Sequence, residues 1–282
     1  MNITRLTAFA LGLGLSVPLA ASAAELTGTT APHGDGTVSS YAVIGDDGTP
    51  AEIGIVFSAG ALDGLPEARN ATSRCFDLNG NGAIDAQGEC EGDYEVDLPF
   101  PAEVTGRDDI PFEFAMVNWN PEGHPPPPWL LPHFDIHFYQ VPLATVDDIR
   151  VGSCGIFIDC DDFQRAIKPV PAKYVHPEHA SVEAAVGRMG NHLIDTRTPE
   201  FGDPPSKFTH TWIFGAYDGN VIFHEVMSTH AFMVLGNDIC TPIKQPEAWE
   251  KAGYYPTSYC FRHGDDGGLK VFMTDFMMRP AG

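Results

Sequence analysis

The stretch Pro132-His133-Phe134-Asp135-Ile136-His137-Phe138-Tyr139 alternates ionisable residues with large apolar ones. Alternation with period two marks a strand, because successive side chains leave a strand on opposite faces. His133, Asp135 and His137 then share one face, and Phe134, Ile136 and Phe138 the other. At ~3.3 Å per residue His133 and His137 stand roughly 13 Å apart, too far to hold one ion unless the strand bulges. Asp135 and His137 are close enough to share one, which leaves His133 as a supporting residue.

Outward from this stretch the chain reads as β on both sides. After a polar leader, residues 38–44 and 52–57 form a hairpin pattern across Gly45-Asp46-Asp47-Gly48-Thr49-Pro50. Further strands are predicted at 94–98 and 111–119, and His124 with the prolines 125–128 makes a stiff extended lead-in to the opening stretch. Beyond it, 208–217 and 220–227 flank Asp218-Gly219, a dipeptide suited to a type I′ turn. A two-residue loop predicts Phe214 opposite Phe223, Trp212 opposite Glu225 and His210 opposite Met227. Glu225 then lies on an aromatic surface beside His210. Strands at 256–262 and 269–276 follow, with short helices expected at 181–189 and around 246–252. The absence of a β–helix–β rhythm points to one mainly β domain over 24–282, an antiparallel β-barrel or sandwich with a few short helices and disulfide-pinned loops.

Residues 1–23 read as a signal peptide: Arg5, an apolar run from 6 to 20, and Ala21-Ser22-Ala23 as a cleavage site. That predicts a periplasmic or secreted protein, and no other run has the ~20 apolar residues of a membrane helix. The formal charge is −22, from 16 Lys and Arg against 38 Asp and Glu, which disfavours nucleic acid and anionic membranes as partners. Six cysteines in an exported chain predict disulfides, and proximity favours Cys75 with Cys90, Cys154 with Cys160, and Cys240 with Cys260.

Two groups of residues are candidates for chemistry. In residues 75–90, CFDLNGNGAIDAQGEC, Asp77, Asn79, Asn81 and Asp85 fall at the oxygen-ligand positions of an EF-hand-like calcium loop, with the Ala83 carbonyl as a further ligand. The closing bidentate position is Gly88, and Glu89 comes one place late, so a disulfide-pinned polar turn is the rival reading. The second group is Asp135, His137, His192 and Glu225, with His133 and His210 as supporting or alternate residues. Imidazole and carboxylate donors on separate strands suit a divalent Zn, Fe, Mn, Ni or Cu ion. Glu225 with His210 or His192 is also readable as a metal-free acid–base pair. There is no G-x-S-x-G, H-E-x-x-H or Gly-rich phosphate loop, which disfavours proteolysis and nucleotide chemistry.

The segments PHFDIHFY (132–139), MGNHLID (189–195), FTHTWIFGAYDGNVIFHE (208–225) and GYYPTSYCF (253–261) together resemble an uncharacterised family of exported bacterial β proteins, a domain-of-unknown-function group with a type member from Thermus. The family reads E-P-M where this chain has Glu225-Val226-Met227, so Val226 departs from it. The resemblance implies a β fold and His133, His137, His192, His210 and Glu225 as site residues, and supplies no reaction. Two functions follow: an exported β protein with a divalent-metal site, or a non-catalytic envelope protein that binds a small-molecule ligand or assembles into a homo-oligomer.

Overall fold

The computed structural model describes residues 24–70, 74–85, 89–90 and 93–282; the segment read as a signal peptide lies outside them. The described residues open with a meander of β1 (Ala24–His33), β2 (Gly36–Ile44) and β3 (Pro50–Phe57). It crosses to β4 (Tyr94–Pro99), α1 (Ala102–Thr105), β5 (Phe114–Asn120) and β6 (His133–Tyr139). The middle of the chain supplies α2 (Leu143–Asp147), β7 (Val151–Cys154), α3 (Cys160–Ala166), β8 (His179–Val186), β9 (Gly190–Asp195), β10 (His210–Tyr217) and β11 (Asn220–Thr229). After α4 (His230–Met233) come β12 (Ile239–Pro242), β13 (Gly253–Tyr255), β14 (Ser258–His263), β15 (Leu269–Thr274) and β16 (Met277–Arg279).

The strands form a six-stranded sheet in the order β1-β2-β3-β15-β14-β12 and a seven-stranded sheet in the order β4-β5-β6-β11-β10-β9-β8, with β13 and β16 as a separate pair. Among the described residues neither sheet closes on itself, each ending in two edge strands, so the architecture is a sandwich and the barrel expectation is corrected. The reason lies in the side-chain pattern. Ile53, Ile55, Phe261 and Val271 of the smaller sheet meet Val117, Phe134, Ile136, Phe138, Phe214 and Val226 of the larger one in a single apolar layer. The far side of the larger sheet is covered too: Phe114, Met116, Tyr139 and Phe223 pack under Val146 of α2, Ile149, Ile158 and Ala166 of α3. A sheet covered on both faces belongs to a stack of layers, with no lumen to enclose.

Three other expectations change. The polar leader from 24 onward is β1, because Ala24–His33 pairs along β2. Residues 181–186 belong to β8, an edge strand paired with β9; tertiary pairing overrides the helix propensity of Ala and Glu there. Around 246–252 there is no helix, and Trp249 instead stacks on Tyr255 at 3.8 Å between ring centroids. The cysteines form Cys75–Cys90, Cys154–Cys160 and Cys240–Cys260, and no described cysteine is free.

The β10–β11 hairpin turns at Asp218 and Gly219, both at positive φ (53° and 82°) as a type I′ turn requires. The expected register holds only for the first two pairs. Between Ala216↔Val221 and Gly215↔Phe223 the register shifts, leaving Ile222 as an extra residue in a bulge. Ile213 therefore faces Glu225, and Trp212 and Phe214 turn toward the sandwich core. Gly215 is what permits this: a Cβ there would meet the Phe223 ring at 1.9 Å. The Gly215→Ala variant is expected to lose about 1–3 kcal/mol by overpacking. A urea-unfolding midpoint equal to that of the parent would contradict this account of the bulge.

Candidate metal centre

The larger sheet places donors on its covered face strand by strand. His137 of β6 stands directly opposite Glu225 of β11, and across β10 the pair Gly215↔His192 brings in β9. The His192 ring leans across β10 toward Glu225, while the space left by the missing Gly215 side chain is filled by the Phe223 ring. Phe223, lying on Gly215, packs edge-on against the rings of His137 (4.8 Å) and His192 (5.3 Å) and fixes both.

The result is a cluster in which Glu225 Oε2 lies 3.4 Å from His137 Nε2 and 3.7 Å from His192 Nε2. One donor atom from each residue falls within 4.8 Å of the others. Two donors bound about 2.1 Å from a tetrahedral ion sit roughly 3.4 Å apart, so the spacing suits a shared ion. The His192 Nδ1 is 2.8 Å from the Ala184 carbonyl, which can only accept, so Nδ1 carries the proton and Nε2 presents its lone pair. His137 Nε2 and Glu225 Oε2 are buried and have no hydrogen-bond partner. Burial, helped by the negative charge of Asp135, pushes the Glu225 carboxyl well above the usual range. Burial also lowers His137 to about 3 and holds His192 below its ordinary value. Burial thus disfavours charge on all three groups when no cation is present; a bound ion would favour the Glu225 carboxylate.

Asp135 does not join His137. β6 pairs along its whole length without a bulge, and Asp135 belongs to a second cluster with His133 Nε2 at 3.2 Å and His124 Nε2 at 3.1 Å. These two His/Asp/Glu groups could each hold a metal ion. His124 was not legible as a site residue, because it comes from the Pro-rich lead-in and has no strand periodicity to place it. Both clusters border one cavity of about 820 Å³, lined among others by His124, Asp135, His192 and Glu225 and by the apolar side chains Trp129, Phe157, Phe201, Ile213 and Met227.

His210 lies elsewhere. The bulge turns it to the sandwich side, where its Nδ1 is 2.7 Å from the Tyr259 hydroxyl and its ring packs on Phe232 and Phe261. The acidic loop is held mostly by its own side chains, and its Cys90 end borders the cavity. Asp77 accepts from the backbone N–H of Asn81 and Gly82, Asn79 from Asn81, and Asn81 from Ala83. Glu89 is buried and accepts from Asn79 and Asp85 through its two oxygens, closing the loop one place later than an EF-hand would.

Comparison with protein-family models, with curated proteins and with solved structures finds no match for this chain. The site's chemistry therefore rests on its own geometry.

Burial lowers His210 to about 4, below the ordinary histidine value near 6.5. Between those two pH values the unfolded chain binds a proton that the native ring refuses, so stability falls as pH falls from about 6.5 to about 4. The loss attributable to this ring is up to about 3 kcal/mol over the window. In His210→Phe the drop in unfolding free energy from pH 7 to pH 4.5 is expected to be smaller than in the parent. Equal drops in urea titrations would exclude His210 as a source of acid sensitivity.

Proposed function

We propose that this chain is an exported metalloprotein in which His137, His192 and Glu225 hold one divalent transition-metal ion at the wall of a ligand cavity. The observation that carries the reading is the convergence of His137 Nε2, His192 Nε2 and Glu225 Oε2 at ion-sharing distances, with two of the three atoms buried and lacking any other partner. Two imidazoles and a carboxylate suit Zn, Fe, Mn, Ni or Cu rather than calcium or magnesium. Export is supported by the signal-like leader and by three disulfides, which persist in oxidising compartments.

Three protein ligands leave a position for water or an incoming ligand, the arrangement that distinguishes reactive from purely structural sites. His192 and Glu225 border the cavity while His137 is fully buried behind them, so the open side belongs toward the cavity. An ion there would polarise a bound water or carbonyl group. The apolar walls select a small molecule with an apolar body and one oxygen- or nitrogen-bearing end.

Elemental analysis of untagged protein prepared without chelator tests this directly. The parent is expected to carry or take up a stoichiometric transition metal at this centre. His192→Ala is expected to weaken its binding by more than the roughly 10- to 100-fold that losing a residue supporting a metal ligand costs. A parent that holds only traces and takes up nothing on reconstitution would sink the proposal, and so would a His192→Ala variant that binds the same equivalents with the same affinity.

A further inference from the structure

The second cluster contains a conflict of hydrogen-bonding roles. His124 Nδ1 lies 2.8 Å from the Pro125 carbonyl and His133 Nδ1 lies 2.7 Å from the Leu131 carbonyl. Carbonyl oxygens only accept, so both Nδ1 atoms carry protons, and in a neutral ring Nε2 then holds a lone pair. Each Nε2 faces a carboxylate oxygen of Asp135, at 3.1 and 3.2 Å, so acceptors face acceptors. His133 is fully buried, and its Nε2 and the Asp135 Oδ1 have no hydrogen-bond partner.

A proton on the His124 ring lets Nε2 donate to Asp135 Oδ2, but it leaves the fully buried His133 Nε2 facing Asp135 Oδ1, acceptor against acceptor. Protonating both rings would set two imidazolium ions with centroids 4.6 Å apart against one carboxylate, with the His133 charge wholly buried. A single divalent cation among the three atoms satisfies all of them at once. Asn120 Nδ2 donates to Asp135 Oδ2 at 2.9 Å, a supporting contact of the kind that orients a ligating carboxylate.

We propose that His124, His133 and Asp135 form a second divalent transition-metal site, and that its ion fastens the loop 121–132 to β6 at the cavity wall. His133 and Asp135 are fixed by the strand, whereas His124 is the one donor carried by the loop. Arg69 also ties the loop, donating to Glu122 (3.0 Å) and to the Gly123 carbonyl (3.2 Å), and Trp129 Nε1 donates to Glu200 (3.4 Å). Glu122, Gly123, His124 and Trp129 all border the cavity, so the loop's position sets the shape of that wall.

The two sites are separate. Their founding residues on β6, Asp135 and His137, are two positions and so roughly 7 Å apart, whereas ions that share a bridging oxygen stand about 3.5–4 Å apart. Each ion therefore has its own stoichiometric signature.

The experiment is retitration of metal-stripped, untagged protein with Zn²⁺, read as bound equivalents by elemental analysis after gel filtration. Hydrogen exchange of residues 121–132 is followed with and without the metal. The parent is expected to bind two equivalents and His124→Ala one, with metal-induced protection of the loop present in the parent and lost in the variant. His192→Ala is expected to bind one equivalent and keep that protection. If the parent binds one equivalent that His124→Ala loses and His192→Ala keeps, the second site stands and the first reading falls. If His124→Ala binds as many equivalents as the parent, or the parent binds none, the second site is overturned. Loop exchange that does not respond to metal in the parent overturns the fastening role. His124 is on a loop and half-exposed, and the exchange measurement on the parent needs no variant to fold.

Discussion

β6 has no side that faces water. One row of its side chains closes the sandwich core, and the other lies beneath the helices and loops that cover the larger sheet. An ionisable group on a dry face must be neutralised, paired or bound to a cation, because isolated charge is too costly there. Three ionisable residues at alternate positions of this strand therefore dictate what their neighbours have to be. β5 answers with Asn120 beside Asp135, β11 answers with Glu225 opposite His137, and β9 reaches in with His192. The chemistry of the larger sheet is organised by this one strand.

Gly215 couples that chemistry to the fold. Its missing side chain accommodates the Phe223 ring, and His192 packs on that ring as it approaches Glu225 from the far side of β10. The adjacent bulge moves Trp212 and Phe214 to the sandwich core and leaves Ile213 and Gly215 on the site face. A regular hairpin would have set an indole against Glu225 and excluded a third donor. The irregularity is thus part of the site's construction, as bulges near functional positions often are.

Much of this was legible in the sequence, and the limits have physical causes. The alternation in 132–139 reveals a strand and the shared face of His133, Asp135 and His137, because period two is a local property. The type I′ turn at Asp218-Gly219 is also local, and its dihedrals agree. The bulge at Ile222 is not local: it depends on a ring from one strand finding a glycine on the next. That is why the local pattern pairs His210 with Glu225 while the fold sets it against Tyr259. Sandwich against barrel is likewise decided by edges that meet or fail to meet far apart in the chain. His124 escaped because a Pro-rich loop carries no periodicity, although its position just before the strand start was a usable hint. The 181–186 segment shows the opposite failure, where local helix propensity was clear and strand pairing overrode it.

The balance of stability also bears on why these donors are there. A pair such as His137 and Glu225, fully buried without a good hydrogen bond between them, contributes little to folding, and well-packed apolar residues of similar volume are often neutral or stabilising in such places. The surroundings favour that replacement: Phe223, Tyr139 and Met116 already make the face apolar. A sequence selected only to fill this layer would have continued the pattern. Instead two clusters of imidazole and carboxylate groups, several of their buried atoms without a hydrogen-bond partner, interrupt it on one face of this strand, and both open on the same cavity. Buried ionisable groups where apolar ones would pack are the pattern expected of a site rather than of a core.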